Sequence, residues 1–342
     1  MPISIYVLTH KPFVPPSDKI YIPLSVHEKR GDNIASKNDT FSELTGLYWI
    51  WKNDTSSDII GTAHYRRYLL SRDKKLLTEA MIRDILSEYD CITTKELKLN
   101  NSFYYGFSTN HKPYYLKELK NVLFRLYPDY AVLYEQLIRE NHTYFGNMMI
   151  APVYLYSEYC SWLFSILFEM EKELIIDEPD SYHKRIFGFI SEFLWYLYVR
   201  KNSINAYETI VGMTSEKAET SEIKKHLAQF FSKGDYISAK NYFLSERIKR
   251  PDILMEASDI SGELHLCMEV ISICEFEAAA GKKVLLDRIT DFNALMDYCR
   301  KLNNYVLSSI RNSSDLMEKI TEEEIFSKEA LYVAERMFSN NF

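Results

Sequence analysis

The chain has 342 residues, 46% of them hydrophobic and 26% charged, which is enough to bury a sizeable core and too long for one small domain. A net charge of −7 and a pI near 5.7 argue against a nucleic-acid binder, which carries a basic stripe to collect phosphates, and leave room for a local basic cluster. Five cysteines without a CxxC pair argue against a disulfide framework or a zinc site and for a reducing cytoplasm, and the short apolar run at residues 3–8 is too brief for a signal peptide or a membrane span.

Residues 3–8 are apolar and β-branched, which predicts a buried first strand stopped at Thr9-His10-Lys11-Pro12. The proline-rich stretch 12–23 and the polar stretch 31–38 read as loops. Leu44, Leu47, Tyr48 and Trp51 follow at helical spacing. Residues 58–63 read as a second buried strand that delivers His64-Tyr65-Arg66-Arg67-Tyr68 at its carboxyl end, where sites in open α/β sheets lie. An amphipathic helix over 78–88, a short strand over 89–93 and a long tyrosine-rich helical segment over 114–140 come next. Residues 144–152 read as a strand interrupted by Gly146, with two more helices over 155–174 and 187–200. After Met213 helix formers dominate and strand signals vanish, which predicts a helical C-terminal domain over 214–342 behind an α/β domain over 1–213. Residues 228–244 faintly resemble one tetratricopeptide helix pair.

The densest cluster of chemistry is His64, Arg66 and Arg67 at one strand end, with His10-Lys11 at another and Lys37 between. Cations gathered there suit a departing diphosphate, because fixed guanidinium groups stabilise the charge that develops on it. Pairing of Arg66 and Arg67 with surface carboxylates is the competing reading. For the base that an attacking hydroxyl requires, Glu192 stands out as the single acid in an apolar helical stretch, where burial is costly without a purpose or a partner such as Arg185 or Arg200. Asp58 and Asp90 flank strands and are weaker candidates for sugar or metal contacts, and His111 and His142 read as structural or exposed. No Asp-x-Asp follows a strand, so a divalent metal is permitted but not indicated. No dinucleotide, Walker, zinc-protease or nucleophile-elbow motif occurs.

Thr9-His10-Lys11, Asp32-Asn33-Ile34, Lys37-Asn38, Glu43-Leu44-Thr45-Gly46-Leu47-Tyr48-Trp49, His64-Tyr65-Arg66-Arg67-Tyr68 and Gly188-Phe189-Ile190-Ser191-Glu192 together resemble the bacterial capsular and exopolysaccharide glycosyltransferases known as domain of unknown function 4422, over residues 3–212. The resemblance implies a GT-A-like nucleotide-sugar fold with a helical appendage, acting on a UDP-sugar donor, with UDP-galactofuranose used by characterised relatives. It implies that Thr9, His10 and Lys11 line the nucleotide pocket, with Asp32, Asn33, Lys37, Asn38, Glu43 and Tyr48 beside the donor. His64, Tyr65, Arg66 and Arg67 take the place of a metal-binding strand end. Glu192 falls where inverting enzymes carry their base. Asn147 and Met148 fall on the acceptor side, preceded here by Phe145-Gly146 where relatives have a tyrosine. The expected role is transfer onto a lipid-linked or oligosaccharide acceptor in capsule, exopolysaccharide or O-antigen synthesis, by a cytoplasmic protein resting on the inner face of the membrane. The alternative is an inactive nucleotide-sugar or glycan binding module with a helical interaction domain.

Overall fold

The computed structural model describes residues 2–178, 180–254, 258–312 and 326–339. The chain divides into two compact units, Met1–Thr214 and Ser215–Phe342.

The first unit is built on an eight-stranded sheet. β1 (Ile3–Thr9) lies between β2 (Tyr21–Ser25) and β3 (Ile59–His64), parallel to both. Between them come α1 (Asn38–Phe41) and α2 (Leu44–Asn53). β4 (Arg67–Leu69) turns back on β3 through Tyr65-Arg66, pairing Arg67 with His64. After α3 (Glu79–Leu86) comes β5 (Cys91–Thr94), then β6 (Leu97–Lys98), α4 (Phe103–Asn110), α5 (Tyr114–Leu126), α6 (Pro128–Leu137) and β7 (His142–Thr143), which pairs with β6. β8 (Met149–Pro152) runs antiparallel between β3 and β5, so its amino end meets their carboxyl ends. α7 (Val153–Glu173) and α8 (Ile186–Lys201) precede β9 (Ala206–Thr209), parallel to β5, and β10 (Val211–Met213), which closes on β4.

Strand alternation sorts the core. On β1, Ile3, Ile5 and Val7 pack into one cluster with Ile82 of α3, while Tyr6 and Leu8 pack into another with α2, α7 and α8. The sheet is therefore a middle layer with helices on both faces, the α/β class expected from the sequence. α2 lies close on β1: a Cβ on Gly46 would meet Leu8 Cδ2 at 2.5 Å, so only glycine lets the helix approach at that point.

The structure departs from the sequence reading in several places. Residues 21–25 form an edge strand although Pro23 lies within them; proline is tolerated at a sheet edge because its missing N–H removes no interior ladder bond. The long helix expected over 114–140 breaks at Tyr127, because Pro128 disfavours helical conformation in the residue before it and opens α6 instead. The strand expected over 144–152 begins only at Met149, since Gly146 (φ 99°) and Asn147 (φ 49°) turn the chain through the left-handed region.

The second unit is helical among its described residues: α9 (Ala218–Phe231), α10 (Tyr236–Lys249), α11 (Glu263–Ala279), α12 (Phe292–Asn312) and α13 (Lys328–Ser339). α9 and α10 form a helix pair whose turn uses Gly234 at φ 70° and an Asp235 carboxylate that accepts from Ser238 N at 2.9 Å. Its core is separate, with Phe231, Phe243, Leu264, Val270, Leu295 and Val306 all buried.

Candidate active site

The carboxyl edge of β1 and β3 is where polar side chains from distant parts of the chain meet. Four segments deliver them: the turn before α2, the end of β3 with β4, the Gly146-Asn147 turn before β8, and the first two turns of α8.

The Gly146-Asn147 turn is the hub. Gly146 N donates to Glu192 Oε1 at 2.7 Å, and Gly146 O lies 2.7 Å from His64 Nε2. Asn147 is buried; its Nδ2 donates to Glu43 Oε1 at 2.7 Å, and its Oδ1 accepts from Ser191 Oγ at 3.0 Å. Asn is one of the few residues that tolerates the left-handed conformation, and its side-chain bonds to Glu43 and α8 hold it there. Arg185 completes the arrangement from the start of α8. Its Nε donates to Ser42 Oγ at 2.8 Å, and its guanidinium stands 3.6 Å from Glu43 Oε2.

The two carboxylates are driven in opposite directions. Burial pushes the Glu192 carboxyl up from its ordinary 4.5 to about 8, and the negative charge of Glu43 adds to this against the Gly146 N–H, Arg67 and Arg185. Burial opposes ionisation of Glu43 too, but the charges of Arg185 and His64 with the Asn147 amide hold it below the usual carboxylate range. The His64 imidazole is pushed down by burial, with Glu43 pulling the other way, and burial also lowers Arg67. A pair of acids whose environments separate their pKa values is the pattern of a proton-transfer site, with Glu43 the fixed charge and Glu192 the group that exchanges a proton near neutrality.

Beside this hub, Tyr65 gathers the cations of two strand ends. The His10 ring lies 5.2 Å from that of Tyr65, Lys11 Nζ 5.2 Å and Arg66 Cζ 5.3 Å from the Tyr65 ring centroid. Residues 9–13 with Pro23 and Ser25 line an open cleft of about 430 Å³ there. Thr9 Oγ1 shapes it by accepting from Lys11 N at 3.1 Å.

The remaining sequence-predicted residues are engaged elsewhere. Lys37 pairs with Glu171 at 2.6 Å. Asn38 Nδ2 donates to the Ser42 carbonyl at 2.9 Å, bracing the turn before Glu43, and Asn33 Nδ2 donates to the Lys29 and Gly31 carbonyls, both at 2.9 Å. Tyr48 is buried among Trp51, Phe164 and Phe168, and its hydroxyl donates to Asp32 Oδ1 at 3.2 Å. Asp32 N in turn donates to Asn53 Oδ1 at 3.0 Å, at the far end of α2 from Glu43 and roughly 15 Å along its axis. Met148 is 1% exposed inside the sheet's core, so its side chain offers an acceptor no surface. Asp58 and Asp90 stand at the amino ends of β3 and β5, the opposite edge of the sheet, where Asp90 Oδ2 accepts from Asn205 N. His142 pairs with Glu96 at 2.6 Å. Arg185 is the contact that sequence reasoning raised only as a partner for Glu192; its bond to Ser42 spans 143 residues and leaves no local signal.

Among the described residues no three His, Cys, Asp or Glu side chains are grouped to hold a metal ion. The donor set at the end of β3, with two arginines after His64, does not fit a divalent cation.

The family described as "Domain of unknown function (DUF4422)" matches residues 4–203. Among solved structures, the WbbM bifunctional glycosyltransferase is similar in fold, with a TM-score of 0.56 and 23% sequence identity over 63% of this chain. The match spans 45% of that protein, so this chain covers less than half its length. No curated protein matches.

Proposed function

The chain belongs to the DUF4422 family, and from that premise we propose that it is a glycosyltransferase that moves a sugar from a UDP-sugar to a glycan acceptor in capsular, exopolysaccharide or O-antigen synthesis. The observation that carries the reading is the convergence of Glu192 and Glu43, with separated pKa values, beside the cations around Tyr65 at the carboxyl edge of β1 and β3. The similar fold of a named glycosyltransferase supports it.

In this reading the diphosphate occupies the cleft of Thr9, His10 and Lys11, with Arg66 and Arg67 on its sugar side. The acceptor hydroxyl gives its proton to the Glu192 carboxylate as its oxygen bonds to the anomeric carbon. The bond from that carbon to the diphosphate oxygen breaks, and its electron pair leaves with UDP, whose charge the guanidinium groups balance without a metal. One displacement inverts the anomeric centre. Galactofuranose is the donor sugar favoured by the sequence resemblance. The acceptor is lipid-linked or a free oligosaccharide, met in this reading at the inner face of the membrane; among the described residues no helix is long and apolar enough to cross a membrane.

The test is UDP release from a panel of nucleotide sugars, with and without EDTA and manganese, for wild type and Glu192→Gln. Wild type is expected to release UDP with acceptor present and EDTA without effect, while E192Q binds UDP and turns over roughly 10²- to 10⁴-fold more slowly. Retained UDP binding with no release from any donor would replace the transferase with the inactive binding module.

A further inference from the structure

Between residues 186 and 199 helix α8 is buried everywhere except at Phe189 and Glu192, and Arg185 at its start continues the same stripe. Spacings of four and three residues put all three on one face. Over residues 186–199, solvent, and therefore any substrate, reaches α8 along this line alone.

The surroundings of Phe189 differ from those of the cationic cleft. Its ring lies 4.6 Å from His111 and 5.0 Å from Tyr182, with the Arg185 guanidinium 5.8 Å from its centroid. Burial pushes the His111 imidazole down to about 4, so it stands neutral at working pH and offers one donor and one acceptor nitrogen. Just before α8, His183 pairs with Asp180 at 2.8 Å and lies 5.6 Å from His111, holding this wall in place. A flat aromatic face edged by a neutral imidazole matches an uncharged polyol. The positive C–H groups on one face of a pyranose ring sit against the negative face of an aromatic ring, while its rim of hydroxyls takes the hydrogen bonds.

We propose that Phe189, backed by His111 and Tyr182, is the acceptor-sugar subsite, a pyranose ring resting on it so that one hydroxyl meets Glu192 a single helical turn away. The role given to that hydroxyl rests on the transferase reading; the sugar-binding face does not.

The test uses the full chain, with methyl β-D-galactopyranoside, methyl β-D-glucopyranoside and methyl α-D-mannopyranoside as probes in saturation-transfer NMR, and acceptor KM where turnover is measurable. Phe189→Leu fills most of the space against His111 and Tyr182 but removes the flat ring, and is expected to weaken glycoside binding and raise acceptor KM by roughly three- to tenfold. Phe189→Trp keeps the ring and should stay within about twofold of wild type. Melting temperature and UDP affinity report whether F189L is folded; Phe189→Met replaces it if it is not. A glycoside signal equal in wild type and F189L, or none in wild type, overturns the subsite. Phe189-dependent glycoside binding in a protein that releases no UDP from any donor upholds the subsite and removes the transferase reading. Turnover with an acceptor KM indifferent to Phe189 does the reverse.

Discussion

If Glu192 takes the acceptor proton, turnover must follow its ionisation, and the structure sets where that occurs. With its pKa pushed up to about 8, the free protein carries an ionised Glu192 in about one molecule in eleven at pH 7 and about ten in eleven at pH 9. The kcat/KM for transfer, which reports groups of the free enzyme, is therefore expected to rise about tenfold between pH 7 and pH 9. Glu43→Gln tests the cause. Burial is the larger contribution and the charge of Glu43 the next, so E43Q should move the rising limb to lower pH but not back to 4.5. Arg67→Met removes a charge that favours ionisation and should move the limb the other way. Glu192→Gln should cost roughly 10²- to 10⁴-fold and flatten the profile. The assay is UDP release at subsaturating acceptor across pH 6 to 10. A limb that falls through pH 8 would make Glu192 an acid rather than a base, and a limb that E43Q leaves in place would refute the coupling between the two carboxylates.

The same shift has a consequence for stability. Because the folded-state pKa of Glu192 is raised, folded protein keeps a proton that unfolded protein loses between pH 4.5 and about 8, so stability from this group is full below that window and is lost as pH rises through it; the melting temperature of E192Q should gain on wild type as pH increases, and a constant gap would argue against the shift. Glu269, buried on α11 with its Oε2 accepting from Asn303 Nδ2 at 2.8 Å, is raised by burial from 4.5 to about 7, and Glu269→Gln should likewise gain on wild type as pH rises through that window and hold a constant gap above it, read by thermal denaturation. Gly61→Ala places a Cβ 2.8 Å from Ile150 Cγ1 and 3.1 Å from Ile5 Cγ1 in the middle of the sheet, for an expected loss of about 1–3 kcal/mol in urea titration. Gly146→Ala meets nothing closer than 3.7 Å, so its cost of about 1–2 kcal/mol comes from φ 99°; activity should fall further than stability, since Gly146 N is the Glu192 donor.

What the sequence made legible is what burial writes locally. The runs that became β1 and β3 are continuous and apolar because both strands are covered on each face, and α2 and α8 carry enough apolar surface to be seen at once. β9 and β10 lie at positions where most side chains are only half-buried, so neither alternation nor an apolar run marks them. α4 was hidden because Gly106, Ser108, Thr109 and Asn110 are weak helix formers; it is held by a Ser102 cap and by Phe103 stacked 4.3 Å from Phe193.

The candidate site divides on the same principle. Glu192 could be picked out because an acid amid Ile190, Phe193, Leu194 and Trp195 contradicts its surroundings, and a local contradiction is visible in a sequence. Arg185 and Asn147 contradict nothing near them. Their importance comes from closure over long separations: Asn147 reaches Glu43 across 104 residues and Arg185 reaches Ser42 across 143. Once closed, that network fixes Glu43 as the ionised partner, whose charge adds to the burial that keeps Glu192 protonated near neutrality, so the poise of the proposed base is a property of the fold and not of the helix alone. A variant that loosens the Gly146-Asn147 turn should therefore shift the pH profile of transfer even though neither carboxylate is altered, whereas one that merely loosens α8 packing at its far end should not.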